Sequence, residues 1–484
     1  MLFNSYPFIF LFLPITLLVY FLLGRARLTL ASRAWLVCAS LFFYAWWNPA
    51  YIPLILGSIM FNYGVGTALG RLGKPESPPG RRREILLLVG ITGNIALLGY
   101  YKYTDFLIAN INSLTGGQIQ FLKLILPLGI SFFTFTQIAY LVDVYRREAK
   151  EYDLLNYILF VTFFPHLIAG PIIHHKEMMP QFSSLRNKLI NYRHISQGLF
   201  LFSMGLFKKV MLADTFATWA NHGFASAQPL SGLEAWATSL SFTFQLYFDF
   251  SGYTDMALGS ALMFNIKLPI NFNSPYKALD IRDFWRRWHI TLSRFLRDYV
   301  YIPLGGNRWG PSRTYVNLMA TFLIGGIWHG AGWTFVFWGF LHGAAMVAQR
   351  AWQQLGRSMP KALAWFLTFN FVNLAWVFFR AKDWGEAAKV LKGMVLLNGT
   401  GLPSLEQIFA WKVKLRLYLL HVKGNEDTLW YILLSLVVCL YFKNSNEMVN
   451  RFKPNWRYAL MAAVLTVYSI VKIDKASVFL YYNF

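Results

Sequence analysis

Two histidines in the second half of the chain have side chains and settings suited to proton-transfer catalysis. His329 stands in an almost uncharged run, FLIGGIWHGAGWTFVFWGFLHG, and His289 stands in the charged, aromatic stretch that precedes it. An imidazole accepts and releases protons near neutral pH. Burial keeps it neutral and basic, which suits a general base that removes the proton of a hydroxyl or thiol. We therefore treat both histidines as candidate catalytic residues.

Glycines surround His329 in the segment GGIWHGAG. An ionisable residue inside a membrane-spanning segment is costly and marks a functional site by default. Clustered glycines weaken a helix and let a backbone or a substrate approach closely. A core histidine that is hydrogen-bonded to a neighbouring helix is the alternative that this pattern leaves open. We interpret His342 as structural, because it lies roughly 220° around the helix from His329.

Residues 281–299, which overlap the charged and aromatic stretch DFWRRWHITLSRFLRDYVYIPLGGNR (Asp283 to Arg308), predict an amphipathic helix. At about 100° per residue, its aromatic and aliphatic residues, with the exception of Ile290, cluster within about 60° of Ile281, opposite the arginines and aspartates. Such a helix lies in the membrane interface with its aromatic face down. His289 falls at about 80°, at the boundary between the faces.

Two functions are compatible with this charged helix. It is either a surface anchor with His289 as a rim residue, or a cationic surface that binds an anionic donor such as coenzyme A, with His289 pointing into a passage below. Arginine suits the second function because its planar guanidinium donates two parallel hydrogen bonds to a phosphate. The charge pattern does not distinguish lipid phosphate from nucleotide phosphate.

A second polar group lies in the apolar stretch FQLYFDFSGYTDMALG, which contains Asp249 and Asp255. Two carboxylates at membrane depth need partners. We expect them to pair with the arginines of residues 282–297; lining a substrate path is the alternative. His174 and His175 are adjacent in sequence, so they do not have the spacing of two metal ligands on one face of a helix. The sequence contains no HExxH motif either, and we therefore predict no metal site.

Composition places these residues in a membrane protein. The 484 residues are 56% hydrophobic and only 14% charged, whereas soluble domains carry roughly a quarter charged residues. Many separate apolar runs make the protein polytopic. Lys and Arg outnumber Asp and Glu by 45 to 22. In a membrane protein this excess reflects cytoplasmic loops and anionic lipid, which argues against a nucleic-acid partner.

Apolar runs alternate with basic loops along the chain. Basic loops face the cytoplasm, so we predict a periplasmic N-terminus and a cytoplasmic amphipathic segment at 267–313. Residues 154–172, interrupted at Pro165 and by Gly170-Pro171, are predicted to form a re-entrant or interfacial hairpin, because basic residues follow them. Residues 381–427 are predicted to be an external loop with a short amphipathic helix. The predicted spans lie near 7–23, 34–48, 50–66, 85–101, 121–142, 196–213, 236–266, 314–330, 333–349, 362–380, 428–442 and 458–472.

Four motifs in order resemble the membrane-bound O-acyltransferase (MBOAT) family, and within it the bacterial alginate O-acetyltransferase (AlgI-like) branch. They are YFDFSGYTDMALG, PINFNSPY, DFWRRWHITLSRFLRDYVYIPLGGNR and GGIWHGAGWTFVFWGFLHG. The opening, MLFNSYPFIFLFLPITLLVYFLL, and the aromatic end, VFLYYNF, are similar to that branch too. The resemblance thus covers nearly the whole chain.

This resemblance implies an all-α polytopic membrane protein, with a ring of about 11–13 helices around a central tunnel and with re-entrant and interfacial helices. We expect one integral-membrane domain, 1–484, with the catalytic histidine span at 314–349. The near-invariant histidine of the family corresponds to His329, which we expect to act as general base or as transient acyl carrier. Its second, upstream polar position corresponds to His289, which we expect to orient the donor or to assist proton transfer from the cytoplasmic side. Substrate-binding candidates within these motifs are Arg286, Arg287, Arg294, Trp328, Asn271 and Asp249.

The resemblance also implies the activity. Family members move acyl groups, and we expect acetyl to pass from a cytoplasmic donor, acetyl-CoA, across the bacterial inner membrane for O-acetylation of an exported polysaccharide such as alginate. The expected partners are periplasmic acetyl-accepting subunits, and no bound cofactor is expected. Two alternatives stay open: a D-alanyl transferase of the teichoic-acid type that uses a carrier-protein thioester, and a transporter or flippase without bond chemistry. The chain shows none of the inverted repeats common in transporters.

Overall fold

The computed structural model describes residues 1–72, 80–150, 153–396, 418–473 and 480, and every regular element within them is helical. Up to residue 225 the helices are α1 (Leu13–Arg25), α2 (Thr29–Ala45), α3 (Ile52–Arg71), α4 (Arg81–Thr115), α5 (Ile130–Tyr145), α6 (Leu154–Thr162), α7 (Phe164–Leu167), α8 (His175–Ser183), α9 (Tyr192–Phe207) and α10 (Asp214–Ala225). They continue with α11 (Gly232–Met263), α12 (Ile281–Arg287), α13 (Ile290–Leu296), α14 (Gly310–His329), α15 (Trp333–Gln354), α16 (Lys361–Arg380), α17 (Trp384–Met394), α18 (Glu426–Tyr441), α19 (Ser445–Asn450) and α20 (Trp456–Lys472). The predicted all-helical class is confirmed for these residues; the ring and the tunnel stay predictions.

Within the described residues, four helical segments are long and apolar enough to cross a membrane: Pro7–Arg25, Pro49–Arg71, Arg81–Thr115 and Lys361–Arg380. They coincide with four of the predicted spans. Helices also occupy the other predicted spans, although α5 begins nine residues later than the predicted span at 121–142. That start is set by Gly129, whose φ of +71° requires glycine, and a Cβ there would lie 2.8 Å from the carbonyl oxygen of Leu167.

The predicted interruption of 154–172 is present, although its first break falls at Phe163, two residues before Pro165; the re-entrant or interfacial placement stays a prediction. Phe163, with φ −49° and ψ 108°, separates α6 from the single turn of α7, and the chain is non-helical through Gly170 and Pro171. These residues are buried almost throughout. Such non-helical backbone is tolerated at membrane depth when protein surrounds it. The predicted loop 381–427 contains a helix, α17, while residues 397–417 lie outside the described part.

The described chain groups into two compact units, each built from separate stretches. Unit 1 consists of Met1–Ser203, Tyr253–Ile270 and Phe452–Ala463, and unit 2 consists of Met204–Gly252, Asn271–Arg451 and Val464–Phe484. The expectation of one domain stays a prediction.

Unit 1 has an aromatic core crossed by polar helix contacts. Phe12 packs edge-to-face on Phe164 with ring centroids 5.1 Å apart. The side chains of Asn62 and Asn94 hydrogen-bond each other, so that α3 and α4 are joined by paired amides. Paired polar side chains hold helices together where the surroundings supply no water.

In unit 2, helices α14 and α15 form a closely packed hairpin. A Cβ on Gly326 would lie 2.5 Å from the carbonyl oxygen of Phe335, and a Cβ on Gly339 would lie 2.5 Å from that of Phe322. Glycines therefore let the two helix backbones touch, which explains part of the glycine cluster around His329. Helix α12 packs on α15, and α15 packs on α16.

The structure corrects the prediction of one continuous amphipathic helix in the charged segment. The helix ends at Arg287, and His289 adopts the left-handed conformation with φ 42° and ψ 54° before α13 begins. The backbone N–H groups of Asn273 and Ile290 donate instead across to the carbonyl oxygens of Arg287 and Asn271. At the break, these hydrogen bonds between 271–273 and 287–290 take the place of hydrogen bonds within a helix.

Candidate active site

His329 is the last residue of α14 and lies in an aromatic enclosure within unit 2. Its side chain is 3% exposed. The imidazole centroid lies 4.9 Å from the ring of Trp328, 5.1 Å from Trp338 and 5.1 Å from Phe379. Aromatic walls on several sides exclude water, so electrostatic interactions of this ring are stronger than they would be in water.

His289 is fully buried, which corrects its predicted place at the rim of an interfacial helix. Its ring packs edge-to-face on Phe250, with centroids 4.8 Å apart, and lies 6.3 Å from the ring of Trp328. Neither ring nitrogen has a hydrogen-bond partner within the described residues. Burial lowers the pKa of His289 to about 3, so the ring is neutral at pH 7.

The structure brings the two candidate histidines together around one tryptophan. The indole ring of Trp328 is 4.9 Å from the imidazole of His329 and 6.3 Å from that of His289, measured between ring centroids. Trp328 is one of the predicted substrate-binding residues. Its ring neighbours both imidazoles, so the two histidines share it as a wall of the site.

Asn271 positions the backbone that follows His289. Its side-chain oxygen accepts hydrogen bonds from the N–H of Thr291 at 3.1 Å and from the hydroxyl of Thr291 at 2.7 Å, while its carbonyl accepts from Ile290 at 3.0 Å. Asn271 is fully buried. These contacts start α13 directly after His289, so Asn271 acts on the site through the position of His289.

Among the described residues, Asp249 pairs with no arginine, contrary to the prediction. Its carboxylate lies 2.7 Å from the ammonium of Lys209 and accepts a hydrogen bond from the N–H of Leu480. Lys209 also contacts Asp214 at 2.8 Å, and all three side chains are nearly inaccessible. The partner of the Asp249 carboxylate is thus a lysine that two aspartates share. Phe250, the residue after Asp249, forms the wall beside His289.

Of the three arginines predicted to bind a donor, two form ion pairs with aspartates and the third is exposed. Arg287 forms an ion pair with Asp283 at 2.9 Å and Arg294 one with Asp298 at 3.8 Å, each with a carboxylate one helical turn away. Arg286 is exposed. Neighbouring carboxylates therefore reduce the positive charge that this group offers to an anion.

His342 has a structural role, as predicted. It is fully buried, and its Nδ1 accepts a hydrogen bond from the indole N–H of Trp285 at 3.2 Å. Its ring also packs on Trp338, with centroids 4.7 Å apart. The aromatic face of α12, predicted to enter the lipid interface, packs instead on protein through Trp285.

Sequence reasoning missed several residues of the site. Lys209, Phe250, Trp338 and Phe379 are ordinary members of apolar or basic runs when read along the chain. A signal existed for one of them, because Lys209 is a charged residue inside the predicted span at 196–213 and precedes Asp214 by five residues. Among the described residues, no group of three or more His, Cys, Asp or Glu side chains could hold a metal ion.

Comparison with known proteins adds to this geometry. Residues 118–382 match the model of the membrane-bound O-acyltransferase (MBOAT) family. The chain is 49% identical to the peptidoglycan O-acetyltransferase of Helicobacter pylori, over the whole of this chain and 98% of that protein. It is 41% identical to a Pseudomonas aeruginosa protein described as "probable alginate O-acetylase AlgI", over 81% of this chain and 75% of that protein. It is also 29% identical to the teichoic acid D-alanyltransferase of Streptococcus thermophilus, over 52% of this chain and 68% of that protein.

Proposed function

Because this chain belongs to the membrane-bound O-acyltransferase family, and is an O-acyltransferase, we propose that it moves acetyl from acetyl-CoA to an exported cell-envelope polysaccharide. The extent of similarity favours peptidoglycan over alginate as the polymer, since the peptidoglycan relative matches over the full chain at the higher identity. The D-alanyl transfer alternative is supported by a match to about half of the chain. Family membership favours bond chemistry over simple transport.

The observation that carries the mechanism is the pair of buried imidazoles, His289 and His329, that both neighbour the ring of Trp328. In our proposal, His329 accepts the proton of the acceptor hydroxyl as its oxygen attacks the thioester carbonyl. The new C–O bond forms, the C–S bond breaks, and the imidazolium returns the proton to the leaving thiolate. The aromatic walls keep water away, so that the thioester is transferred rather than hydrolysed.

His289 supplies the second polar group of the proposed mechanism. Both of its ring nitrogens lack a hydrogen-bond partner among the described residues. A buried polar group without a partner costs about 1–3 kcal/mol, so a ligand that hydrogen-bonds His289 recovers that energy on binding. We assign this ring to orienting the donor or to assisting proton transfer.

The proposed location is the bacterial inner membrane, with the N-terminus in the periplasm. The basic loops, and 267–313 above all, supply the cytoplasmic charge on which this orientation depends. A cytoplasmic donor and an exported polymer lie on opposite sides of the bilayer. Acetyl must therefore cross it, and periplasmic acetyl-accepting subunits are the proposed partners.

A two-donor assay tests this function. The full-length protein, reconstituted in nanodiscs, is supplied either with acetyl-CoA or with a D-alanyl carrier-protein thioester, and thiol release is followed with a chromogenic reagent. We expect acetyl-CoA to be consumed, and more rapidly when an acceptor glycan with free hydroxyls is present. Consumption of the carrier-protein thioester alone would assign the chain to D-alanyl transfer. Consumption of neither donor would contradict the proposal.

A further inference from the structure

An open cavity of about 670 Å³ lies in unit 1, at the segment that joins α8 to α9. Its lining includes Arg186, Asn191, Tyr192, Arg193 and His194. The volume falls within the range of small-molecule sites. None of these residues belongs to the aromatic enclosure of His329, and the proposed mechanism does not use them.

The cavity is positively charged and has no acidic residue nearby in sequence. Residues 178–213 contain five Lys and Arg residues and no Asp or Glu. Within the described residues, the guanidinium groups of Arg186 and Arg193 form no ion pair. These observations describe a local field that attracts anions.

The cavity wall is held in place by buried contacts. Asn265, which is 5% exposed, donates hydrogen bonds to the carbonyl oxygens of Asn187 at 3.0 Å and Leu189 at 2.8 Å. Its side-chain oxygen lies 2.9 Å from Nδ1 of His194. With Nδ1 donating to Asn265, the other nitrogen of the His194 ring is left for a ligand. The hydroxyl of Tyr20 donates to Asn187 as well. A fixed wall reduces the ordering cost of binding.

We propose that this cavity is a phosphate-binding site in which Arg186 and Arg193 hold the phosphate groups of a ligand. Two guanidinium forks suit adjacent phosphates, because each donates paired hydrogen bonds to phosphate oxygens. Tyr192 is 77% exposed and offers a flat ring for a base to stack on. A ligand that carries both an aromatic base and several phosphates uses all of these features.

The phosphate has two sources that the experiment separates. The first source is the nucleotide part of coenzyme A, and this assignment rests on the proposed function. The second source is the headgroup of an anionic lipid, since basic segments at membrane surfaces attract such lipids. Positive charge places this segment on the cytoplasmic side, where both sources are present.

Binding is measured on the full-length protein in phosphatidylcholine nanodiscs, with three probes: coenzyme A, adenosine 3′,5′-bisphosphate and a fluorescent short-chain phosphatidylglycerol. The variant replaces both arginines, Arg186→Gln with Arg193→Gln. The matched control replaces two exposed arginines of the same unit that lie outside the cavity, Arg71→Gln with Arg82→Gln. We expect the cavity variant to weaken binding of coenzyme A and of the bisphosphate by about tenfold or more, and the control to leave it unchanged.

Each outcome decides the proposal. Weaker binding of phosphatidylglycerol alone supports the phosphate site and assigns it to lipid. Unchanged binding of all three probes to the cavity variant overturns it, as does an equal loss in the control. If wild-type protein leaves acetyl-CoA intact while bisphosphate binding still depends on both arginines, the proposed function fails and the phosphate site stands.

Discussion

The enclosure around His329 in unit 2 and the arginine cavity in unit 1 use polar groups in opposite ways. The first surrounds two imidazoles with aromatic rings, so that His329 is 3% exposed and His289 is fully buried. The second leaves arginines exposed at an open surface. Burial strengthens every interaction of a reacting group, whereas exposure lets a charge attract and capture a ligand. We therefore expect substitutions in the enclosure to alter the rate of acetyl transfer, and substitutions in the cavity to alter the affinity for the donor.

The largest effect is expected from His329→Ala. Loss of the general base should lower the rate of acetyl transfer by about 10²- to 10⁴-fold, with little change in coenzyme A affinity. The matched control is His342→Gln, a second buried histidine whose replacement can still accept the hydrogen bond from Trp285. Transfer and binding are measured on both variants in nanodiscs. Retained transfer in His329→Ala, or equal loss in the control, would remove His329 from the mechanism.

The next effect concerns the stability of the enclosure. Lys209→Met leaves Asp214 and Asp249 buried without the ammonium that they share, which should destabilise the protein by about 3–5 kcal/mol. Arg297→Gln removes an exposed pair with Asp298 and should cost only about 0–1 kcal/mol. Thermal unfolding in detergent compares the two variants. Similar melting temperatures would show that burial does not set the strength of these pairs.

A smaller effect separates the chemistry of His289 from its backbone conformation. His289→Asn keeps a residue that tolerates the left-handed region and removes the imidazole, so transfer should fall by about tenfold to 10²-fold while the melting temperature stays close to wild type. His289→Val adds strain, because a β-branched side chain is unfavourable at positive φ, and should also lower the melting temperature. Unchanged transfer in the Asn variant would show that the residue serves the turn alone.

The smallest effect is expected from an arginine that already has a partner. Arg287→Gln removes a guanidinium paired with Asp283 and should change the KM for acetyl-CoA by less than about twofold. Arg186→Gln should raise that KM by several-fold and leave kcat unchanged, because its charge is not neutralised. Steady-state kinetics on both variants separates the change in KM from the change in kcat. A larger KM effect from Arg287 would return the donor site to the charged segment of unit 2.

Much of the architecture could be predicted from local patterns. Apolar runs located the helices, and an imidazole beside glycines in GGIWHGAG marked His329. The interruption of 154–172 followed from proline and glycine, whose backbone preferences act within a few residues. The predicted structural role of His342 followed from its angle around the helix. Each of these inferences needed only neighbours in sequence.

The prediction failed where contacts between distant residues decide the conformation. The wheel of 281–299 assumed an unbroken helix, yet hydrogen bonds from Ile290 and Thr291 to Asn271, about twenty positions earlier, end it at His289. The predicted partners of Asp249 were arginines of that wheel, yet Lys209 is the nearer cation. A helical wheel contains no information about either contact.

The sequence by itself determined that this is a helical membrane protein with a histidine in an apolar span, because hydrophobicity and helix periodicity are local properties of the chain. Tertiary structure alone decided that His289 is buried, that it shares Trp328 with His329, and which arginines stay unpaired. Those features depend on which side chains fill the space around a residue. Folding brings such side chains from far along the chain, and no local pattern records them.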